Sequence, residues 1–345
     1  MKNNHLRGSY LLLSILLFST WASAAPASSG YHLLKKVVLG GDGFWDYLNV
    51  DSAARRVYIS RGTHVMVVDA DTYAVVGDIP DTQGVHGIAI AGDLGRGFTS
   101  NGRTNTATIF DLKTLKVLGT VPTGQGPDAI IYDPASHRVF TMNGHGESAT
   151  AIDAATGTVA GTIPLGGGPE FAAADGHGHV YVNLEDKSMV VDIDSSALIV
   201  KNTWPLAPCE SPSGMAFDRQ HRRIFSGCHN KMMAVMDADS GKVITTVPIG
   251  QGVDANAFDP KTRFAFSSNG DGTLTVVDED SPDKFSVVAN VQTQRGARTM
   301  ALDVKTHRVY LVTAEFGTAP APTAAQPRPR PPMVPNTFTL LVFGK

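Results

Sequence analysis

The sequence predicts an all-β fold, a seven-bladed β-propeller whose four-stranded antiparallel blades surround one axis. Three observations support this prediction. A unit of about forty residues recurs along the chain. Each unit holds four short apolar segments that alternate with turn residues. The 35 glycines and 20 prolines among 345 residues indicate frequent turns, which suit short strands better than long helices.

The repeat is aligned most easily on a polar residue near the start of each unit, which we call the marker residue. In five units a glycine stands two positions before the marker, as in Gly126-Pro127-Asp128, and an apolar strand follows it. The seven marker residues are Asp46, His86, Asp128, Glu170, Ser213, Asp254 and Arg298. Their successive separations of 40, 42, 42, 43, 41 and 44 residues match the length of one propeller blade.

The other three strands of each unit follow in a fixed order. About five residues after the marker an aspartate such as Asp133 opens a turn, and a run such as Arg138-Val139-Phe140 predicts the second strand. A third strand ends in a pair such as Ile152-Asp153, and a fourth ends in a pair such as Ile163-Pro164. The histidines between these strands at the far end, His137, His177, His179, His221 and His307, suit turn and capping roles.

The two ends of the chain complete each other. The last unit supplies only three strands, the third of them over residues 337–343, whereas an unassigned strand over residues 33–39 precedes the first unit. We expect these two segments to pair, because this pairing closes the ring and covers two strand edges.

Residues 1–25 have the pattern of a signal peptide: Lys2 and Arg7 precede an apolar run over 10–21, and Ala22-Ser23-Ala24 follows. The alternative is a retained membrane anchor, but about a dozen apolar residues are fewer than the roughly twenty that span a bilayer. We therefore expect a periplasmic or secreted protein with one propeller domain over 26–345 and no membrane span after cleavage. In that oxidising environment Cys209 and Cys228 are expected to form a disulfide, with a thiolate metal site that includes His229 as the alternative.

The segment Val180-Tyr181-Val182-Asn183 resembles the signature of the YVTN-repeat β-propellers, a bacterial family that includes YncE-like periplasmic proteins. The resemblance extends over residues 31–345 and implies the fold, but the family has no single shared chemistry. It also raises single-stranded DNA binding, which needs a basic groove with aromatic platforms. Because the predicted site is acidic and the formal net charge is −3, we do not expect a nucleic-acid partner.

In a propeller, the loops that enter each blade and the loops between second and third strands open on the same face. That face gathers the marker residues, together with Arg103, His145 and His229 as further candidate ligand-binding residues. Four of the marker residues are acidic and one is arginine. One interpretation is that these side chains cap backbone N–H groups at the strand starts. The other is a ring of carboxylates that attracts a cation or a cationic ligand.

Metal and acid–base chemistry are alternatives for this face. His86, His145 and Glu170 are candidate metal ligands in neighbouring blades, although no HxH or HExxH spacing occurs. His86 with Asp128 or Glu170 is a candidate acid–base pair. No nucleophile elbow, phosphate-binding loop or dinucleotide fingerprint is present, and the sequence identifies no cofactor.

Residues 317–336 depart from the repeat with a stretch rich in proline and alanine. This stretch replaces a tight hairpin and is expected either to be a disordered insertion or to project over the candidate face as a stiff lid or docking arm. The favoured function is a monomeric recognition module for a protein, a peptide or a small ligand. The alternative is a metal-assisted hydrolase, lyase or oxidoreductase that uses His86, Asp128, His145 and Glu170.

Overall fold

The computed structural model describes Met1, residues 29–323, Pro329 and residues 331–345. Within them, seven antiparallel sheets of four strands form the predicted propeller. The predicted signal peptide lies outside the described residues except for Met1, and so remains a prediction. No helix in the described part of the chain is long and apolar enough to cross a bilayer.

Each of the first six blades is one uninterrupted run of four strands, numbered from the axis outward. Blade 1 is β2 (Leu48–Asp51), β3 (Arg56–Ser60), β4 (Val65–Asp69) and β5 (Val75–Ile79); blade 2 is β6 (Val85–Ala91), β7 (Arg96–Asn101), β8 (Thr106–Asp111) and β9 (Val117–Pro122); blade 3 is β10 (Pro127–Asp133), β11 (Arg138–Asn143), β12 (Ser148–Asp153) and β13 (Thr158–Pro164). Blade 4 is β14 (Pro169–Ala174), β15 (His179–Leu184), β16 (Met189–Asp194) and β17 (Ile199–Pro205); blade 5 is β18 (Pro212–Asp218), β19 (Arg223–Cys228), β20 (Met232–Asp237) and β21 (Val243–Pro248); blade 6 is β22 (Val253–Asp259), β23 (Phe264–Asn269), β24 (Thr273–Ser281) and β25 (Lys284–Gln292).

Blade 7 joins the two ends of the chain, as the sequence predicts. It contains β26 (Met300–Asp303), β27 (Arg308–Thr313) and β28 (Thr339–Gly344), with β1 (His32–Val38) as its outermost strand. β1 runs antiparallel to β28 from His32 opposite Gly344 to Val38 opposite Thr339. All of β28 is buried, whereas β1 is largely exposed and carries Lys35 and Lys36, charges that protect an open sheet edge.

The core lies between adjacent blades and is built around one aromatic side chain from the second strand of each blade. These fully buried residues are Tyr58, Phe98, Phe140, Tyr181, Phe225, Phe266 and Tyr310. Blade 2 has glycine, Gly97, immediately before this aromatic residue. A Cβ at Gly97 would lie 2.1 Å from the ring of Phe110, so glycine there leaves room for this second aromatic side chain. In every blade, a large aromatic side chain therefore occupies the same position in the core.

At the end of the propeller opposite the marker residues, the predicted aspartate turns link neighbouring blades. Asp133 accepts a hydrogen bond from Ser195 Oγ at 2.6 Å, and Asp259 lies 2.7 Å from His307 Nδ1. Arg222 Nη1 donates to Asp175 at 3.1 Å. The predicted turn and capping roles of this end are thus observed, with contacts that also cross the blade boundaries.

Two further predictions concern the marker face. Cys209, before β18, and Cys228, at the end of β19, form a disulfide across 19 residues of sequence. This bond rules out the alternative thiolate site with His229 and indicates an oxidising, non-cytoplasmic environment.

The two ends of the long insertion pair with each other, since Phe316 bridges Met333 and Gly317 N donates to Pro332 O at 2.8 Å.

Candidate functional site at the channel mouth

Each marker residue lies near the start of its blade's inner strand or just before it. All seven lie at the same end of the axis. His86, Asp128, Glu170, Ser213 and Asp254 are each the second residue of an inner strand, and Asp46 and Arg298 lie two residues before theirs. Because the seven inner strands surround the axis, these side chains converge there. We call the seven marker residues together the channel-mouth site.

The first part of the site is centred on His86. Its Nδ1 atom lies 2.7 Å from Asp46 Oδ2 and 3.5 Å from Asp128 Oδ1. The prediction that His86 has an acidic partner at this face is therefore supported by geometry, although its shorter contact is with Asp46 rather than Asp128 or Glu170. Both carboxylates come from the blades adjacent to that of His86.

The second part of the site is centred on Ser213 and Arg298. Ser213 Oγ lies 3.5 Å from Glu170 Oε1 and 3.4 Å from Asp254 Oδ1. Arg298 Nε lies 3.2 Å from Asp254 Oδ2, and Arg298 Nη2 reaches to 4.0 Å from Asp46 Oδ1. Contacts thus pass from blade to blade around the axis.

Crowding and burial change the protonation of these carboxyls. Burial, reinforced by the charge of Asp46, raises the pKa of Asp128 to about 6. Burial also raises the pKa of Asp254 to about 6 despite the opposing effect of Arg298. For Glu170, burial and the charges of Asp128 and Asp254 raise the pKa well above its usual range.

The pKa values of His86 and of a neighbouring tyrosine are shifted by the same carboxylates. Burial alone would lower the pKa of His86, but its hydrogen bond to Asp46 and the charge of Asp128 outweigh burial, so the pKa is raised. Burial and the four surrounding carboxylates raise the pKa of Tyr47. The channel mouth is therefore an environment that favours positive charge.

Backbone capping at this face is performed by hydroxyl groups from the second strands. Ser60 Oγ accepts a hydrogen bond from the N–H of Asp46 at 2.9 Å, and Ser100 Oγ accepts one from Gly87 at 2.9 Å. In the described residues, the side-chain hydrogen bonds of the acidic markers go to other side chains rather than to backbone N–H groups. The geometry thus favours the carboxylate ring over the capping interpretation.

The remaining predicted residues surround the channel mouth on exposed loops. Arg103, His145 and His229 are all exposed, and His229 Nδ1 lies 3.5 Å from Glu185 Oε1. They remain predicted ligand contacts at the rim of the site.

The geometry also selects among possible metal ligands. Ligand atoms of Asp46, His86 and Asp128 lie within 4.8 Å of one another. Among the described residues, His145 and Glu170 belong to no such group of three. The two aspartates are therefore better placed than His145 and Glu170 to share a cation with His86.

A large cavity adjoins the ring at Arg298, which sequence reasoning did not identify. Its volume is about 1360 Å³, and it lies between the start of blade 1, the end of blade 6 and the insertion. Its apolar lining includes Phe44, Trp45, Phe316, Pro331 and Met333. A second cavity of about 360 Å³ is lined by residues of the inner strands that include Tyr47, Ile88, Ile130 and Phe171.

Contacts beside the cavity and at the base of the insertion hold this wall in place. The Arg61 guanidinium lies 3.6 Å from the ring centroid of Phe338, and its Nη2 donates to Asp42 O at 2.9 Å. Val334 N donates to Glu315 O at 2.8 Å at the base of the insertion. The insertion therefore forms one wall of the cavity rather than only an arm extending from the surface.

The structure is similar to known propellers, although the sequence is not close to them. It aligns with RRP9 WD40 repeats at a TM-score of 0.75 and 11% identity, covering 93% of this chain and 99% of the other. It aligns with a chain of the mitotic checkpoint complex at a TM-score of 0.72 and 15% identity, covering 94% of this chain and 99% of the other. With Kuenenia stuttgartiensis hydrazine synthase the TM-score is 0.66 and the identity 16%, and the alignment covers 77% of this chain and 91% of the other. These similarities support the fold alone. No protein-family model and no curated protein matches the chain.

Proposed function

We propose that this protein is an exported recognition module whose channel-mouth site binds a cationic group of a protein or peptide. The observation that carries the proposal is the convergence of four marker carboxylates from four different blades on one axis. A small ligand with the same charge would use the same contacts. The disulfide, which indicates an oxidising environment for the protein, and the resemblance to YVTN-repeat propellers support a periplasmic or secreted location.

The charge balance of the site favours a cationic ligand. Among the described residues, the four carboxyls of Asp46, Asp128, Glu170 and Asp254 together have two basic side chains as ion-pair partners, His86 and Arg298. The Oδ1 atom of Asp128 is buried without a hydrogen-bond partner. A ligand ammonium or guanidinium group would supply donors to these oxygens. It would also offset the mutual repulsion of the carboxylates, which is strong where water is partly excluded.

The adjoining cavity favours a peptide segment over a compact metabolite. Its volume of about 1360 Å³ exceeds the roughly 300–1,000 Å³ typical of small-molecule pockets. Aromatic side chains such as Phe44 and Trp45 stand beside Arg298 at the ring, so a ligand can place its charge in the ring and its apolar groups against the cavity wall. Rigid scaffolds with variable loops commonly serve in recognition, and one of the similar structures is itself a complex.

The test is a binding screen on the mature protein with immobilised peptide libraries that contain or lack lysine and arginine. The best peptide is then titrated by calorimetry against wild type and Asp128→Asn. A charged hydrogen bond contributes roughly 1.5–3 kcal/mol, so the affinity should fall by about 10- to 100-fold.

The control is Asp81→Asn, which changes an exposed aspartate between β5 and β6 that is outside the channel-mouth site. Its affinity should equal that of wild type. Peptide binding that is equally strong for Asp128→Asn and wild type would refute the proposed role of the ring, and a complete lack of basic-peptide binding would refute the ligand class.

A second candidate function is acid–base catalysis, because His86 lies between the carboxylates of Asp46 and Asp128. Such an imidazole can hold and release a proton near neutral pH. In the metal-assisted form, the same three side chains would hold the ion. Substrate turnover that His86→Asn abolishes, with unchanged peptide binding, would support this candidate over recognition alone.

A further inference from the structure

A cluster of titratable side chains lies at the end of the propeller opposite the channel mouth, where blades 5 and 6 meet. Asp218 ends β18, His221 lies in the following turn, and Glu279 is in β24 of the next blade. His221 Nδ1 is 2.8 Å from Asp218 Oδ2 and 3.3 Å from Glu279 Oε1. Ligand atoms of all three residues lie within 4.8 Å of one another.

The two carboxylates of this cluster are buried, and part of the cluster's hydrogen-bonding capacity is not used. Glu279 is 1% exposed and Asp218 is 1% exposed. Neither oxygen of Glu279 has a hydrogen-bond partner, and neither does Nδ1 of His221, because the short contacts between them lack hydrogen-bond geometry. A buried carboxylate that accepts no hydrogen bond is unfavourable, so a ligand that satisfies these atoms would stabilise the cluster.

The rest of the molecule shows that the fold does not need a carboxylate at this position. Glu279 directly follows Asp278, the last residue of the third strand that pairs with the second strand. The residues at the same place in blades 1 to 5 are Ala70, Leu112, Ala154, Ser195 and Ala238. Ser195 donates a hydrogen bond to the turn aspartate of the preceding blade, Asp133, which is a neutral solution to the same contact.

No basic side chain in the described residues neutralises the two carboxylates by an ion pair, apart from His221 itself. Asp218 is held in orientation by N–H groups of Gln220 at 2.9 Å and His221 at 3.1 Å. The charge of Arg263 acts on Glu279 only at longer range, and the backbone of the two residues is joined through Arg263 O. Orientation is therefore provided, whereas charge compensation is incomplete.

We propose that Asp218, His221 and Glu279 bind one divalent transition-metal ion, Zn²⁺ or Mn²⁺, as a structural link between blades 5 and 6. A neutral imidazole nitrogen and two carboxylate oxygens are suitable ligands for these ions. His221 is half-buried and gives access from solvent, while water can complete the coordination. The ion connects the turn after β18 to β24, which belong to different sheets. This site is separate from the channel mouth and independent of the proposed recognition function.

The experiment uses the mature protein, first stripped with EDTA and then exchanged into chelator-free buffer. Bound metal is measured by mass spectrometry and thermal unfolding is followed with ZnCl₂, MnCl₂ or CaCl₂. Zn²⁺ or Mn²⁺ should bind at about one equivalent with a midpoint increase of about 4 °C at a hundredfold excess over Kd, whereas Ca²⁺ should have little effect.

Glu279→Ala is the key variant, because alanine is the natural residue at this position in blades 1, 3 and 5. Without metal, it should melt no lower than wild type, since it removes a buried carboxylate that faces Asp218. It should also lose at least tenfold in metal affinity. Glu279→Gln, which keeps the shape, should lose the metal response in the same way.

Asp128→Asn controls for the second group of metal-type ligands at the channel mouth and should retain the metal response. A wild-type protein that binds neither Zn²⁺ nor Mn²⁺ would overturn the proposal, as would a thermal shift that Glu279→Ala leaves intact. A response to Ca²⁺ alone would overturn the assigned class of metal. Peptide binding by Glu279→Ala at wild-type affinity would show that metal binding at this cluster is independent of ligand binding at the channel mouth.

Discussion

Replacing Asp128 by asparagine should make the propeller more stable at neutral pH while weakening its ligand binding. The folded protein raises the pKa of this carboxyl to about 6, first through burial and then through the charge of Asp46. In the unfolded chain the pKa is near 3.9. The folded state therefore retains the proton to higher pH, and this contribution to stability is fully present only below about pH 3.9 and is lost as the pH rises through about 6.

The magnitude follows from the difference between the two pKa values. A difference of about two pH units corresponds to roughly 3 kcal/mol at neutral pH. The Asp128 side chain is 30% exposed and shares its titration with neighbouring carboxyls, so solvent screening reduces the expected gain to about 1–2 kcal/mol. That gain corresponds to an increase of about 1.5–3 °C in the midpoint.

The assay is urea unfolding of wild type and Asp128→Asn between pH 4.5 and pH 8, with Asp81→Asn as the matched control. The stabilisation should be largest at pH 7.5 and about one third as large at pH 4.5, because at pH 4.5 the carboxyl is mostly protonated in the folded protein but mostly ionised in the unfolded chain. The raised pKa of His86 gives a dependence of the same sign, so some pH dependence will remain in the variant. A variant that is less stable than wild type at pH 7.5, or that differs equally at both pH values, would refute this account of the ring.

Three further predictions test the scaffold and the cavity. Replacing Cys209 and Cys228 by serine should reduce the free energy of unfolding by about 3 kcal/mol, by the chain-entropy relation for a loop of this length; denaturant unfolding measures the change, and equal stability with and without reductant would contradict it. Deleting His32–Val38 should abolish cooperative unfolding, because fully buried β28 would become an edge strand; a sharp, native-like thermal transition by circular dichroism would contradict ring closure. Phe316→Ala should weaken peptide binding by about tenfold through the loss of apolar contact in the cavity, with exposed Val334→Ala as its control; equal affinities in calorimetry would remove the cavity from the site.

Much of the fold follows from the sequence because each blade repeats the same local instructions. The spacing of the marker residues predicts seven blades, and the incomplete last unit predicts the pairing of both chain ends. The observed β1 covers His32–Val38, one residue earlier than the predicted segment. Such small differences are expected, since the pairing partner on β28 decides where β1 begins and ends.

The detailed contacts of the site are less accessible to sequence reasoning. The repeat places all seven marker residues on one face, but side-chain rotamers across blade boundaries decide which of them touch. His86 is therefore closest to Asp46, at 2.7 Å, although Asp128 and Glu170 are the partners that spacing suggests. The cavity depends on how Phe316 and Gly317 meet Pro332 and Met333 at the base of the insertion, which has no parallel in the other six units.

Glu279 illustrates a signal that sequence comparison within the chain can provide. Its position after the third strand is occupied by alanine, leucine or serine in the first five blades. A charged residue that interrupts an otherwise small or apolar position is therefore visible in the repeat. What the sequence does not show is that Asp218 and His221 approach it from the neighbouring blade.

The acidic composition of the channel mouth is best explained by binding rather than by folding. Ser213 occupies the same position in blade 5 and joins its neighbours with a neutral hydroxyl, so the architecture does not require a carboxylate there. Four carboxylates that converge in a partly desolvated ring oppose folding at neutral pH, and neutral replacements would relieve this repulsion. Their burial beside a large cavity suits the recognition of positive charge, because a cationic ligand is stabilised by the same repulsion that weakens the free protein. Stability and affinity should therefore change in opposite directions whenever one of these carboxylates is neutralised.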